Sequence, residues 1–151
     1  MMSFLALICI LACGVCWVYS FFASHLALLI CGGVFLLYLS IFFHEFGHLV
    51  GCFLLKRTVV GLYLYPVKFE NGRISLTKTF KFSLRFIKGE RDGFIHLFGP
   101  IFTLIQLGIA IVLSILVPNA HTLVFLVVSL VMLLGCVNDL SRLIRKNTTK
   151  D

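Results

Sequence analysis

Charge is scarce in this 151-residue chain: 13% of the residues are charged and 60% are hydrophobic. An average soluble domain has about 25% charged residues. One soluble core of this size cannot hide so much apolar surface, whereas a lipid bilayer can. The chain is therefore predicted to be a single integral-membrane domain over residues 1–151, with the lipid bilayer as a partner.

Positive charge is absent from the first 55 residues, which carry a single formal charge, Glu45. The apolar N-terminal run therefore lacks the basic start of a signal peptide, and it is predicted to be a retained membrane anchor. All 13 Lys and Arg lie at or beyond Lys56. They flank apolar segments without a basic helix or an aromatic–basic motif. A membrane topology explains them better than a nucleic-acid partner does, and no nucleic acid is expected.

Cysteine is absent from the stretches between the apolar segments, so no disulfide framework outside the membrane is expected. Three of the six cysteines share a helical face near the N-terminus, which is compatible with a metal site. We favour packing, because cysteine behaves as a small hydrophobic side chain. The six are Cys9, Cys13, Cys16, Cys31, Cys52 and Cys136.

Four apolar segments have the roughly 20 residues that a membrane-spanning helix needs. The boundary between the first two is marked only by Ser20, Ser24 and His25, without glycine or proline. The predicted fold is an all-α membrane protein of four transmembrane helices with a small cytoplasmic β-hairpin between the second and third. The segments cover about residues 3–22, 26–55, 94–117 and 122–140.

The basic residues predict the orientation, because cytoplasmic loops carry an excess of Lys and Arg. Residues 56–93 and the tail after Asp139 are both basic, so both are predicted to be cytoplasmic. Four spans then place the N-terminus on the same side. We expect a multi-pass protein of a prokaryotic plasma membrane, with its active site toward the cytoplasmic half.

The stretch between the second and third spans is predicted to be β-rich over about residues 59–79. Asn71-Gly72 lies between two alternating runs, which is a strong signal for a tight hairpin. We predict strands at about 59–69 and 73–79. Residues 80–87 alternate aromatic or apolar with basic side chains, which fits a third strand or an interfacial helix.

The sequence HEFGH, residues 44–48, is an H-E-x-x-H motif inside the second span. On a helix, His44 and His48 lie on one face, where both imidazoles can bind one metal ion. Glu45 is placed to reach a water molecule on that ion and to take its proton. Ionisable groups in a spanning helix are costly, so the motif predicts one Zn²⁺ per chain, with Glu45 as the catalytic base.

A third ligand is required, and the chain has only six acidic residues. Asp139 is the one carboxylate at the end of a later apolar segment, so it is the predicted ligand. A tilt or an early helix end must close a difference in depth between Asp139 and the motif. Pairing of Asp139 with Arg142 is the structural alternative, and His96 is the competing ligand. His25 and His121 are expected at the opposite membrane face.

Gly99-Pro100 is predicted to open the third span, because proline suits the first turn of a helix. It either begins the helix or leaves backbone facing a polar cavity. Thr103 and Gln106, a turn apart, would then hydrogen-bond an oxyanion or the substrate backbone. The predicted substrate-binding residues are Gly99, Pro100, Thr103 and Asn138.

These motifs resemble the site-2 proteases, zinc metalloproteases that cleave within the membrane. The likeness covers about residues 35–142: HEFGH in a span, a β-rich cytoplasmic segment, FGP at the next span and GCVNDLSRL in the last. The family has Asn three residues after the proline where this chain has Thr103, and its ligand aspartate stands in an L-D-G context that Asp139 lacks. The family often carries a PDZ domain. None fits here, so a minimal form is expected.

The resemblance implies hydrolysis of peptide bonds in or beside transmembrane segments of membrane proteins or signal-peptide-like substrates. Two alternatives stay open. One is a non-proteolytic zinc-binding protein that partners a transporter or a signalling complex. The other is a CAAX prenyl protease type, whose ligand glutamate lies on a later helix, whereas Glu70 and Glu90 fall outside the spans.

Overall fold

The computed structural model describes residues 2–21, 26–87, 94–137 and 139–141. Within these ranges, four helices are long and apolar enough to cross a membrane, and their positions agree with the four predicted segments. The fourth apolar span extends beyond its regular helix to Ser141. The helices are α1 (Met2–Ser20), α2 (Leu26–Leu54), α3 (Ile95–Leu116) and α4 (Ala120–Gly135).

Helix α2 is the centre of the fold, since it contacts α1, α3, α4 and the sheet. Its approach to α3 depends on small residues. A Cβ atom added at Gly47 would lie 2.5 Å from the carbonyl oxygen of Phe98. Glycine and other small residues let apolar helices pack backbone to backbone, which is the usual basis of helix association in lipid. This close approach brings the start of α3 against the H-E-x-x-H motif.

The segment between α2 and α3 forms a four-stranded antiparallel sheet in the order β3-β2-β1-β4. Asn71 and Gly72 connect β2 and β3 with φ angles of 51° and 76°, the left-handed conformation that a tight hairpin turn requires. The predicted hairpin at Asn71-Gly72 is therefore confirmed. The strands are β1 (Val59–Leu64), β2 (Val67–Glu70), β3 (Arg73–Leu76) and β4 (Phe82–Phe86).

The sheet is larger than the predicted hairpin, for two reasons. The predicted strand 59–69 is two strands, β1 and β2, separated at Tyr65-Pro66. Pro66 has no N–H for the ladder, so it cannot continue a strand that is paired on both sides, as β1 is. The stretch 80–87, for which the sequence allows a strand or an interfacial helix, contains strand β4, which pairs with β1.

The sheet has one apolar and one polar face. Leu62 lies opposite both Phe69 and Leu84, and Phe69 lies opposite Ile74. Since paired residues point to the same side of a sheet, these side chains share one face. The part of this face on β1 and β4 packs against α2. The part on β3 is exposed to the surroundings, and Ile74 is 76% exposed.

The polar face is organised around Glu70. Its carboxylate accepts hydrogen bonds from the Tyr63 hydroxyl at 2.5 Å and from the Lys68 ammonium at 3.1 Å. The guanidinium of Arg85 lies over the Tyr63 ring, 5.1 Å from its centroid. The bond from Tyr63 lowers the pKa of Glu70 and raises the pKa of Tyr63.

Candidate metal centre

Helix α2 carries the three residues of the motif in its second half, where it is packed against α3 and α4. His44, Glu45 and His48 are all buried. The four-residue spacing puts the two imidazoles on one helix face. Their Nε2 atoms converge to 3.2 Å.

The third side chain of the cluster is Asp139, at the end of the fourth apolar span. Its Oδ2 lies 2.9 Å from His44 Nε2 and 3.4 Å from His48 Nε2. The ligand atoms of these three residues all lie within 4.8 Å of one another. Tetrahedral zinc ligands about 2.0–2.1 Å from the ion are roughly 3.3 Å apart, so this donor set fits the ion. The group can therefore hold a metal ion.

The helical path of the fourth span is interrupted just before Asp139. The regular helix stops at Gly135, and the backbone N–H of Asp139 donates to the Cys136 carbonyl, three residues back rather than four. The sequence predicts a tilt or an early helix end before Asp139. The structure shows instead a turn at Cys136, after which residues 137 and 139–141 are again helical. The cysteine is buried, with its sulfur 3.7 Å from His44 Nδ1.

Each histidine is oriented through its other ring nitrogen. His44 Nδ1 lies 2.9 Å from the Thr103 hydroxyl, and that hydroxyl donates to the Gly99 carbonyl at 3.2 Å. His48 Nδ1–H donates a hydrogen bond to the Ile95 carbonyl oxygen, at 2.8 Å. Partners of this kind leave Nε2 unprotonated and aimed at a metal. Two positions on α3 thus determine how the motif on α2 presents its ligands.

Thr103 is 2% exposed and points at His44. The sequence predicts that Thr103 contacts substrate. This geometry instead favours a role in which Thr103 orients the His44 imidazole. Gln106 is also buried, and its amide nitrogen donates to Ser40 and Ser129 instead of facing a substrate. Asn138 lies outside the described residues.

Gly99 provides the space in which the cluster sits. A Cβ atom at this position would overlap His48 Nε2 and lie 2.7 Å from His44 Nε2. Pro100 lies inside α3, because the helix begins at Ile95. The expectation that Gly99-Pro100 opens the helix is therefore wrong by about one turn. The missing N–H of proline falls in the second turn, beside the site.

Glu45 lies next to the cluster in a cavity of about 360 Å³. One carboxylate oxygen, Oε2, is buried without a hydrogen-bond partner. The backbone of Leu84, in strand β4, hydrogen-bonds the same carboxylate. A buried carboxylate with an unused acceptor is suited to bind a water molecule or another proton donor. The cavity walls come from α2, β4 and the start of α3, together with Met132, Gly135 and Asp139.

His96 lines the same cavity but does not join the ligand group of the described residues. Its ring centroid lies 6.1 Å from that of His48. Glu70 is held on the sheet by Tyr63 and Lys68. Of the two candidates that the sequence leaves open, Asp139 is therefore the one that the structure brings to the histidines.

The remaining candidates lie away from the cluster or outside the described residues. His121 Nε2 is 2.9 Å from the Ser20 hydroxyl, at the opposite end of the helices. His25, Glu90 and Arg142 belong to segments that the structure does not describe.

Two contributions to the site could not be read from the motif. The Ile95 carbonyl is a backbone group, so the sequence has no signal for it. Strand β4 forms a cavity wall through Phe82, Leu84 and Phe86. The aromatic alternation at residues 80–87 was its only sequence signal.

The chain matches no model of a protein family, and neither a curated protein nor a solved structure matches it.

Proposed function

We propose that the chain is a zinc-dependent intramembrane endopeptidase that holds one Zn²⁺ per chain. The observation that carries the proposal is the convergence of His44, His48 and Asp139, from two apolar helices, beside buried Glu45 in one cavity. Ionisable side chains among apolar helices are costly and mark functional sites by default. Two imidazoles and one carboxylate are a common donor set of hydrolytic zinc sites.

Each residue has a separate task in this proposal. His44 and His48 would hold the ion through Nε2, and Asp139 would hold it through its carboxylate. A bound zinc ion supplies Lewis acidity to a substrate carbonyl and makes water a stronger acid. Glu45 accepts a proton from water through its unpaired oxygen and returns it to the leaving amine. Thr103 and Ile95 hold the imidazoles in position.

The position of the cavity among apolar helices supports a proposed substrate class. A peptide bond in a transmembrane helix is shielded, because its carbonyl is hydrogen-bonded within the helix. Strand β4 is an edge strand of the sheet and lines the cavity beside Glu45. An unwound substrate segment can pair with such an edge through its backbone. The proposed substrates are transmembrane or signal-peptide-like segments, cleaved within or next to the membrane.

The proposed location is a prokaryotic plasma membrane with both chain termini in the cytoplasm. The basic residues support this orientation, since residues 56–93 carry nine Lys and Arg and the tail carries four. The sheet then lies at the cytoplasmic end of α2. The cavity opens in the cytoplasmic half, from which water reaches the site.

Replacement of Glu45 by Gln tests the proposal. The variant keeps the shape of the side chain and all three ligands but cannot take up a proton. We expect zinc-loaded Glu45→Gln protein to contain about one zinc per chain and to cleave a transmembrane peptide at least about 100-fold more slowly than the wild type. Cleavage should be followed by mass spectrometry in lipid nanodiscs.

The control is Glu70→Gln, which changes the other described glutamate, on the sheet, and should cleave normally. Unchanged cleavage by Glu45→Gln would refute the mechanism. Zinc binding without cleavage by the wild type, over a panel of transmembrane peptides, would favour a non-proteolytic zinc protein.

A further inference from the structure

Three buried polar side chains connect the helices that build the metal centre. The amide nitrogen of Gln106 on α3 lies 2.6 Å from the Ser40 hydroxyl on α2 and 3.1 Å from the Ser129 hydroxyl on α4. All three side chains are buried among apolar helices. We call Ser40, Gln106 and Ser129 the polar node.

The hydrogen bonds of the polar node have one consistent direction. The Ser40 hydroxyl donates to the Leu36 carbonyl, and the Ser129 hydroxyl donates to the Phe125 carbonyl, both at 2.8 Å. Each hydroxyl hydrogen is thus used within its own helix, so each hydroxyl oxygen accepts from Gln106. Both hydrogens of the amide nitrogen are then committed, one to α2 and one to α4.

The polar node lies on the same helices as the metal ligands. Ser40 precedes His44 by four residues, so the two share a face of α2. Ser129 precedes Asp139 by ten residues and lies in the regular part of α4, which ends at Gly135. Gln106 therefore joins the helix that carries His44 and His48 to the helix that leads to Asp139.

Asp139 is the ligand that needs this connection most. His44 and His48 keep their spacing through one helix, whereas Asp139 lies four residues beyond the end of α4. A slip of one residue moves a helix by about 1.5 Å and turns it by about 100°, which would remove the carboxylate from the histidines. Helices in lipid lack a hydrophobic driving force toward each other, so polar bonds between them help to set their register.

We propose that Gln106 is a positioning residue that holds α4 in the register at which Asp139 meets His44 and His48. This inference rests on the proposed metal centre, and it concerns metal affinity and ligand geometry, not a contact of Gln106 with substrate.

The test uses Co²⁺, whose absorption bands report ligand geometry, as a probe for the full-length, metal-free protein in nanodiscs. Gln106→Met keeps the length of the side chain and removes the amide. We expect Co²⁺ to bind about 10- to 100-fold more weakly than in the wild type, which is typical of lost support around a metal site. We also expect the absorption bands to shift toward those of Asp139→Ala, the reference for a site without its α4 ligand.

Ser114→Ala is the matched control. Its hydroxyl also connects α3 to α4, bonding the Ala110 carbonyl at 2.8 Å and the Thr122 carbonyl at 3.2 Å, but at the end away from the metal centre. It should bind Co²⁺ as the wild type does. If Gln106→Met does not fold, the double variant Ser40→Ala with Ser129→Ala removes both acceptors and takes its place.

The inference is overturned if the node variant binds Co²⁺ with the affinity and spectrum of the wild type. It is also overturned if Ser114→Ala weakens binding equally, because the effect would then be one of general packing. A wild type that binds no Co²⁺ overturns the metal centre together with the inference. Weakened binding in the node variant, with no peptide cleaved by the wild type, upholds the inference and refutes only the peptidase assignment.

Discussion

At the scale of single residues, the site depends on the space around the two histidines as well as on their chemistry. Gly99 faces Nε2 of both rings, the atoms that would bind the metal. Thr103 and the Ile95 carbonyl hold the opposite nitrogens. A side chain at residue 99 and a ligand at Nε2 would compete for the same volume.

Gly99→Ala should therefore weaken metal binding while the protein stays folded. The added methyl group displaces His48 Nε2 and crowds His44 Nε2. We expect zinc affinity to fall by more than about tenfold, measured by competition with a chromogenic chelator. Gly108→Ala, on the same helix with nothing near the added Cβ, is the control. Alanine is the better helix former there, so this variant should keep its zinc. Normal zinc affinity in Gly99→Ala would show that the cluster is not built as described.

At the scale of elements, the sheet has a polar face whose charges are coupled. The Tyr63 hydroxyl and the Lys68 ammonium both favour the ionised form of Glu70, and this lowers the pKa of Glu70. The same hydrogen bond favours the protonated form of Tyr63 and raises the pKa of Tyr63. Between about pH 4.3 and about pH 10, the ordinary pKa values of Glu and Tyr, Glu70 is therefore ionised and Tyr63 protonated, and the hydrogen bond between them is formed.

This coupling predicts a pH dependence for the sheet. Since the pKa of Glu70 is lowered by folding, its contribution is present above about pH 4.3 and is lost as pH falls through the lowered value. In Tyr63→Phe, the Glu70 carboxyl should titrate closer to the ordinary pKa of glutamate. Carbon-13 NMR titration of labelled glutamate measures this directly. An identical Glu70 titration in the wild type and in Tyr63→Phe would contradict the assignment.

The apolar face of the sheet continues outward from the helices, with Ile74 76% and Phe80 77% exposed. Beside apolar spans, such a face should lie against lipid. Tryptophan at Ile74 should therefore be quenched by brominated lipids in nanodiscs, whereas tryptophan at Ser75, on the other face of β3, should not. The native Trp17 signal is subtracted from both. Equal quenching at the two positions would mean that the sheet does not lie with this face on the membrane.

The regular elements were predictable from the sequence because their signals are local. Long apolar runs indicate spans, and Asn71-Gly72 indicates a tight turn independently of the rest of the sequence. The break at Pro66 had a signal as well, since proline cannot donate within a central strand. In α3, only the place of Pro100 was wrong: the sequence puts it in the first turn of α3, whereas it lies inside the helix, beside the packed site.

At the scale of the whole molecule, the candidate site is the meeting point of three apolar helices and one edge strand. The motif on α2 indicated two ligands and a base, because their spacing is local. The third ligand depends on how far α4 reaches toward α2, which is a tertiary property. The sequence could only narrow it to Asp139 or His96. The hydrogen bonds of Thr103 and Gln106 could not be predicted either, because they also join different helices.

The zinc content of three purified proteins tests the central claim most directly. The wild type should contain about one zinc per chain by mass spectrometry of the metal. Asp139→Ala should lose most of it, because a site with two ligands binds zinc weakly. His96→Ala, which changes a neighbour in the same cavity outside the ligand group, should keep it. Full zinc content in Asp139→Ala, or its loss in His96→Ala alone, would contradict the account.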